Sequence, residues 1–584
     1  MKRVIIVGGE TAGMTTAKTL RRLSEDLEVI VYEKSGEVSL GRCGLAYVLG
    51  GEVKEKGRLL GDTPDTFRRE DNIDVHTGIE VLDINRSMRQ LHLRNLRDNT
   101  DFYDHYDALV LATGASPTVP NIPGIRRPGH FTLHSYADLE SVQRWMNEQK
   151  VRQVVVMGGG YIGLEIIEQL SKLSLNVILV ESECQVMGSV DTEMAALVHK
   201  MLIQKDVEVV LGNQIVAFVD ANPGEQARAS VVVLQDGSRV SADMVLFSVG
   251  VTPNVSLARS SALIVGEKGG IVVDSTLRTS DANIWALGDV IEFGDPLAGT
   301  RKLTVLAGPA HRQAGIVAHN ILSGGAQEHY AGSLSTAVTR VFDLVVGVTG
   351  LNEEAVHSVG IDTFSVIVHS QTHCAYYPNV NPISVKGIFA RQTGEILGAQ
   401  VVGFEGVDKR TDVLATAITA RMTAEQIANL DLGYAPQFGS PKDVIHVVGT
   451  LADNVFSRSL RQVYWQELEP LIAQDKVRFL EIINPQEPVE PLFPGCLSYS
   501  QSELRSRLTS LPGDKELIVC DQTGARSYDA YYMLKNHGFR VRYLSGGLYT
   551  WMVVNKYLKE RQPQAFAPTQ SSSSSLMGHP SGKD

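Results

Sequence analysis

The 584-residue chain contains no run of 18 or more apolar residues, so nothing in it reads as a membrane-spanning helix. Its first residues read as a strand, not as a secretory leader. Positive charge is scarce: 54 Lys and Arg stand against 66 Asp and Glu, a net charge of −12, which argues against nucleic acid as a partner. Cysteine is scarcer still. Five are scattered at positions 43, 184, 374, 496 and 520, with neither metal-ligand spacing nor a disulfide framework. No metal centre is expected, and a reducing cytoplasm is the expected setting. Cys184, Cys374 and Cys496 read as structural or incidental. Cys43 also lacks a partner: Val38 occupies the place that a Cys-x4-Cys pair would need, and Ser39 follows it. Redox chemistry at Cys43 would therefore run on one thiol, as a sulfenate or a mixed disulfide. The alternative is a buried small hydrophobe.

What is present is two dinucleotide fingerprints. The first opens the chain: Val4-Ile5-Ile6-Val7 runs into Gly8-Gly9-Glu10-Thr11-Ala12-Gly13, then a helix over 14–23, then a strand over 28–32 ending at Glu33. The glycine turn lets the backbone approach a diphosphate, the helix start supplies oriented N–H groups, and the acid accepts from a ribose hydroxyl. Glu10 replaces the middle glycine of the pattern. The second is complete: Val154 to Met157, then Gly158-Gly159-Gly160-Tyr161-Ile162-Gly163, then a strand over 176–180 ending at Glu181. An acid there favours a free 2′-hydroxyl, hence NADH over NADPH. Two such units a domain length apart imply two nucleotide cofactors.

Further strand–glycine junctions follow. Leu109-Val110-Leu111-Ala112-Thr113-Gly114 is one; Val245 to Gly250 repeats it, and Ile284 to Leu287 ends in Gly288-Asp289. Asp289 reads as a ligand-directed acid or as a helix N-cap. Near the C-terminus, Leu517-Ile518-Val519-Cys520-Asp521-Gln522-Thr523-Gly524-Ala525-Arg526 precedes Leu544-Ser545-Gly546-Gly547 and Trp551.

On these residues, with Ser39-x3-Cys43, Lys302 to Ala310, Val341-Phe342-Asp343, His373 to Pro378, Asp408-Lys409-Arg410 and Tyr434-Ala435-Pro436, the chain resembles the pyridine nucleotide-disulfide reductases. The resemblance is to their single-cysteine branch and runs to about residue 450. It implies an α/β fold with two Rossmann-like dinucleotide-binding domains and an α+β dimerisation domain: FAD domain 1–115 and 247–322, NADH domain 116–246, dimerisation domain 323–450. A linker is expected near 449–461. Residues 462–560 resemble an α/β rhodanese domain, and 561–584, with its serine run, reads as a disordered tail.

The resemblance implies a homodimeric reductase with FAD and NADH as cofactors. Its acceptor would be coenzyme A disulfide, a persulfide or a polysulfide, with coenzyme A as substrate or bound thiol. Cys43 would be catalytic, with Tyr376 and Tyr434 of the partner subunit beside it. Gly8, Gly9, Ala12, Gly13, Glu33, Lys34, Val81, Ala112, Thr113, Gly114, Gly288, Asp289 and Ala307 would serve the FAD site. Gly158, Gly160, Tyr161, Ile162, Gly163, Glu181 and Gly250 would serve the NADH site, with Tyr161 covering the flavin until NADH displaces it. Arg22, Ser39 and Arg42 would meet coenzyme A, and the charge of Arg42 beside Cys43 would favour the thiolate. Lys409 and Arg410 are weaker coenzyme A candidates. An NADH oxidase or peroxidase cycling Cys43 through sulfenate, and a non-catalytic redox sensor, are the competing readings. In the C-terminal unit, C-x-x-G-x-R places the rhodanese cysteine at Asp521. Cys520 falls one residue early and is expected to face the core. The unit is therefore expected to be inactive in sulfur transfer.

Overall fold

The computed structural model describes residues 2–220, 230–325, 327–486, 493 and 495–559. The tail at 561–584 lies outside the described residues. Strand Lys2–Val7 is the centre of a parallel five-stranded sheet, flanked by Leu27–Glu33 and then Asp74–Thr77 on one side, and by Ala108–Leu111 and then Ile284–Ala286 on the other. Val4, Ile5 and Ile6 are fully buried, as central strands of a two-sided parallel sheet must be. Each such side chain contributes about 1.5–3 kcal/mol. A strand from residue 284 in the first sheet means that the chain leaves this layer and returns to it.

The intervening segment builds the second parallel sheet, ordered Glu208–Val210, Asn176–Val180, Gln153–Met157, Met244–Phe247, His130–Phe131. The two crossings between layers are themselves paired: Ala115–Pro117 runs antiparallel to Val251–Pro253. Each sheet has a three-stranded antiparallel companion, one spanning residues 79–105 and the other residues 215–242.

The third layer is an antiparallel sheet ordered Ala337–Val341, Leu344–Gly350, Ile396–Gly403, Pro382–Ala390, Thr363–Gln371, covered by helices Val407–Thr419 and Val444–Phe456. The latter helix corrects one expectation: residues 449–456 are not linker. Gly449 lies mid-helix because the backbone of Ile427 and Ala428 passes so close that a Cβ would sit 2.4 Å from the Ala428 nitrogen. The glycine serves helix packing and does not break the chain; the connection is residues 457–461.

The C-terminal unit is a fourth, parallel sheet: Gln462–Val463, Val541–Leu544, Glu516–Cys520, Val477–Ile482, Leu497–Tyr499. It is seated on the rest of the chain. Its helix Gly547–Tyr557 packs on helix Thr192–Gln204. Thr550 Oγ1 meets His369 Nε2 at 2.7 Å, and the Ser545 hydroxyl accepts from the Ile367 amide. At the junction, the fully buried Lys386 ammonium lies between the carboxylates of Asp191, Glu193 and Glu353, and the Trp465 indole donates to Glu193. These three acids are grouped closely enough to hold a metal ion, but the cation among them is the lysine.

Candidate functional site

The first fingerprint turn is built by close approach. Gly8 has φ +111°, and a Cβ on it would lie 2.2 Å from the Ala112 carbonyl oxygen; one on Gly13 would lie 1.9 Å from the Gly8 oxygen. Only glycine lets the strand, the turn and helix Thr11–Leu23 meet this tightly. Glu33 accepts from the Gly9 and Ser35 amides, each at 2.7 Å, so the acid at the end of its strand is held facing the turn. The second turn repeats the design. Gly158 (φ +104°) faces the Ser248 oxygen, Gly163 faces Gly158, and Glu181 accepts from the Gly159 amide at 2.7 Å. A Cβ at Gly160 would meet nothing within 4 Å, leaving that side of the turn open. Ile162 is exposed beside it. Tyr161 OH and Ser189 Oγ are 2.8 Å apart, so the aromatic ring in this turn is tethered to the loop after Glu181.

The loops after the two sheets lock together. Thr113 Oγ1 donates to the Asn254 carbonyl, and Asn254 Nδ2 donates back to the Thr113 carbonyl at 2.8 Å. This fixes Ala112–Gly114 against the segment that follows Gly250. Asp289 lies in a single 3-10 turn, Gly288–Val290, followed by a strand; the helix Ala307–Leu322 starts well downstream. It is therefore not an N-cap. Its carboxylate has no hydrogen-bond partner among the described residues, and burial pushes it up while Arg42 draws it down. Lys34 pairs with Glu80, adjacent to Val81 in strand Ile79–Asn85.

Cys43 is exposed, in a short 3-10 turn, Arg42–Gly44. Its loop is stitched to the first fingerprint: the Ser39 amide donates to the Gly9 carbonyl at 2.9 Å, and the Leu40 amide to Glu10 Oε2 at 3.1 Å. Arg42 is engaged elsewhere than at an open surface. Its Nη2 pairs with Glu10 Oε1 at 3.3 Å, and its Nη1 lies 2.8 Å from His134 Nε2. Burial, then the Arg42 charge, depresses His134 to about 4. Arg22 is exposed on the last turn of helix Thr11–Leu23, and among the described residues only Thr19 Oγ1, at 3.5 Å, meets its guanidinium. Arg410, a weaker coenzyme A candidate, is buried in a double hydrogen bond to Asp443 and is not available to a ligand.

Tyr376 and Tyr434 come together on the third layer. Tyr434 OH lies 3.5 Å from Cys374 Sγ, and its phenol is pushed upward by hydrogen bonds to Cys374 and then to Tyr376. No hydrogen bond joins either tyrosine to Cys43 within one chain. With Tyr377 and Phe438 they form an exposed aromatic patch.

Sequence reasoning missed four residues here. Glu10 was seen only as a departure from a glycine pattern, and His134 carried no signal at all. Tyr47, one turn past Cys43, donates to Glu165 at 3.2 Å, and burial pushes Glu165 up. Glu165 lies one turn past Tyr161 on the same helix, and that i, i+4 spacing was the available signal.

In the C-terminal unit, Cys520 is fully buried in a cluster with Phe479, Phe493 and Leu544, while Asp521 turns into the loop over 521–527. Register is thus as the alternation of the strand required.

The description "Pyridine nucleotide-disulphide oxidoreductase" matches residues 2–314, its dimerisation domain matches 336–443, and a rhodanese-like domain matches 466–553. Among curated relatives, an NADH oxidase of Methanocaldococcus jannaschii is 33% identical over 77% of this chain and 97% of its own. A coenzyme A disulfide reductase of Staphylococcus haemolyticus is 30% identical over 77% of this chain and 99% of its own. Two solved structures extend the likeness through the C-terminal unit. Reduced Bacillus anthracis CoADR-RHD has TM-score 0.91 and 36% identity, covering 95% of this chain and 99% of its own. An NAD-dependent persulfide reductase from A. fulgidus has TM-score 0.87 and 34% identity, covering 94% and 100%. With glycine turns, acids held against those turns and a single-thiol loop in these places, the chain belongs to the pyridine nucleotide-disulphide oxidoreductase family and is an oxidoreductase with a C-terminal rhodanese-like domain.

Proposed function

We propose that the protein is an FAD-dependent, NADH-using reductase of coenzyme A disulfide, persulfide or polysulfide that works through Cys43. The observation that carries this reading is the position of one exposed thiol on a loop hydrogen-bonded to the first fingerprint turn, through Ser39–Gly9 and Leu40–Glu10. The residues fit FAD at the first turn: the glycine approach, the oriented Glu33 and the unpartnered Asp289 supply a diphosphate cradle, a ribose acceptor and a polyol acceptor. They fit NADH at the second, where Gly160 leaves the turn open and Glu181 faces it. FAD, when bound, supplies hydride acceptance and passes electrons to sulfur.

The chain's own groups do the rest. Tyr161 must leave its place for the nicotinamide to approach, and Ser189 holds its hydroxyl meanwhile. The Cys43 thiolate attacks a disulfide sulfur, forming a mixed disulfide and expelling a thiolate, or the inner sulfur of a persulfide, forming the same mixed disulfide and expelling hydrosulfide. Tyr376 and Tyr434 of the partner subunit would offer hydroxyl hydrogen bonds to that leaving group, and the hydrogen bonds to Cys374 and Tyr376 that push the Tyr434 phenol upward keep it protonated for that role. A homodimer covers the exposed patch of Tyr376, Tyr377, Tyr434 and Phe438 and completes the site. Arg22 and Ser39 remain the candidates for coenzyme A.

A relative named NADH oxidase gives the second reading, in which Cys43 cycles through sulfenate. Anaerobic NADH turnover against coenzyme A disulfide, coenzyme A persulfide, polysulfide and peroxide separates the two. The reductase reading expects Cys43-dependent turnover of a sulfur acceptor, lost in Cys43→Ser while bound FAD is kept. Turnover with peroxide alone would favour the second.

A further inference from the structure

The chain departs from its own fingerprint pattern at Glu10, and puts Arg42 immediately before the redox cysteine. The structure joins these two positions. Glu10 is the N-cap of helix Thr11–Leu23, in extended backbone, and its side chain makes no capping bond. Its carboxylate turns instead to Arg42 Nη2 and the Leu40 amide. Burial raises Glu10, Arg42 draws it down and the nearby Glu33 raises it again, while Asp289 is a third carboxylate within the influence of Arg42.

A helix N-terminus at a glycine turn suits a diphosphate because oriented N–H groups and the helix dipole favour negative charge. A bare carboxylate at the same point would repel the diphosphate it must share space with. Arg42 pairs with Glu10 at 3.3 Å and also draws on Asp289. One arm is held by His134 Nε2; the His134 amide donates in turn to Asp138 Oδ2 at 2.9 Å. The guanidinium is thus held by Glu10 on one side and by His134 on the other.

We propose that Glu10 and Arg42 are a compensating pair: Arg42 neutralises the carboxylate that Glu10 places at the first fingerprint, so that the turn can accept the diphosphate of FAD. This rests on the reading that the first fingerprint holds FAD. It moves Arg42 from the coenzyme A site to the cofactor side, with His134 as the positioning residue that aims it.

The test is the rate of FAD release from the full-length holoprotein, followed by the rise of flavin fluorescence, with FAD per chain from absorbance. Arg42→Gln should release FAD about tenfold faster or more, since it strands the Glu10 carboxylate beside the diphosphate. Glu10→Gly with Arg42→Gln restores the three-glycine pattern and should return release to within about threefold of the parent, a coupling that independent sites would not show. If Arg42→Gln alone fails to fold and the double variant folds with FAD, the pairing is supported; if both fail, it is overturned. Release at the parental rate from Arg42→Gln, or a double variant as leaky as the single, overturns it too. So does an Arg42→Gln that keeps FAD and raises only the KM for coenzyme A disulfide. A parent chain that takes up no FAD would instead overturn the assignment of the first fingerprint.

Discussion

The carboxylate of Asp521 accepts the Ser527 hydroxyl at 2.6 Å and the Ser527 amide at 3.0 Å, so the loop that would cradle an anionic sulfur is filled by an anion of the chain itself. The Thr523 amide points at the second oxygen from 3.4 Å, and Gly524, at φ +95°, lets the loop turn over Tyr543. A carboxylate cannot carry a persulfide.

The full-length protein is accordingly expected to transfer no sulfur from thiosulfate to cyanide. Asp521→Cys should introduce measurable transfer, because the donors around position 521 remain. It should also cost about 1–3 kcal/mol of local stability as those buried donors lose a charged partner. Transfer by the unaltered chain that stops in Cys520→Ser would show that the buried Cys520 reaches the loop, contrary to its packing.

Glu181 has one oxygen on the Gly159 amide and the other on Ser182 and the Glu183 amide, so its position is fixed before any ligand arrives. NADPH would bring like charge to a fixed acid and leave an acceptor unmet. We expect kcat/KM for NADH to exceed that for NADPH by at least about tenfold, roughly 1.4 kcal/mol. Glu181→Gln should narrow the ratio, mainly through the KM for NADPH. Equal efficiencies in the parent would remove Glu181 from the ribose.

Within one chain Tyr434 lies against Cys374 Sγ at 3.5 Å and interacts with Tyr376, and neither tyrosine bonds Cys43. A site shared between subunits makes a definite prediction. Mixing Cys43→Ser subunits with Tyr376→Phe/Tyr434→Phe subunits, each inactive as a homodimer, should restore about a quarter of the parental activity per mixed population once subunits exchange, with one intact site per heterodimer. Absence of recovery with exchange shown by labelled subunits would place the sites within single chains.

His369 ties the third layer to the C-terminal unit, bonding Ser384 Oγ through Nδ1 and Thr550 Oγ1 through Nε2, each at 2.7 Å, with Tyr549 edge-on to its ring. Burial depresses it to about 4 from the usual 6.5. The unfolded chain therefore binds the extra proton first. The stability of this contact is full above about 6.5 and is lost as pH falls toward 4. Hydrogen exchange over residues 545–551, corrected for intrinsic rates, should rise between about pH 7 and about pH 5 more than over 516–520. His369→Gln should flatten that dependence, and an unchanged slope would show that the seam titrates through another group.

Some of this protein was decided by sequence alone. The two glycine turns, the acids Glu33 and Glu181, and the burial of Cys520 beside Asp521 are local facts. Strand, turn and helix follow one another within about thirty residues, and strand alternation fixes which neighbour faces the core. The single thiol and the reach of the family resemblance were equally legible, because they are properties of motif and spacing. Gly449 was misread for a related reason: a glycine looks like a break until the backbone packed against it is known. The rest was decided by contacts between residues far apart in the chain. Glu10 meets Arg42, and Arg42 meets His134 across 92 residues; Lys386 reaches Glu193 across 193; Trp465 reaches Glu193 across 272. Removing the Lys386 ammonium from its three acids would cost about 3–5 kcal/mol, yet no periodicity announces it. Charge pairing acts through space and has no period along the chain, so only the packing of the sheets could show which charges meet.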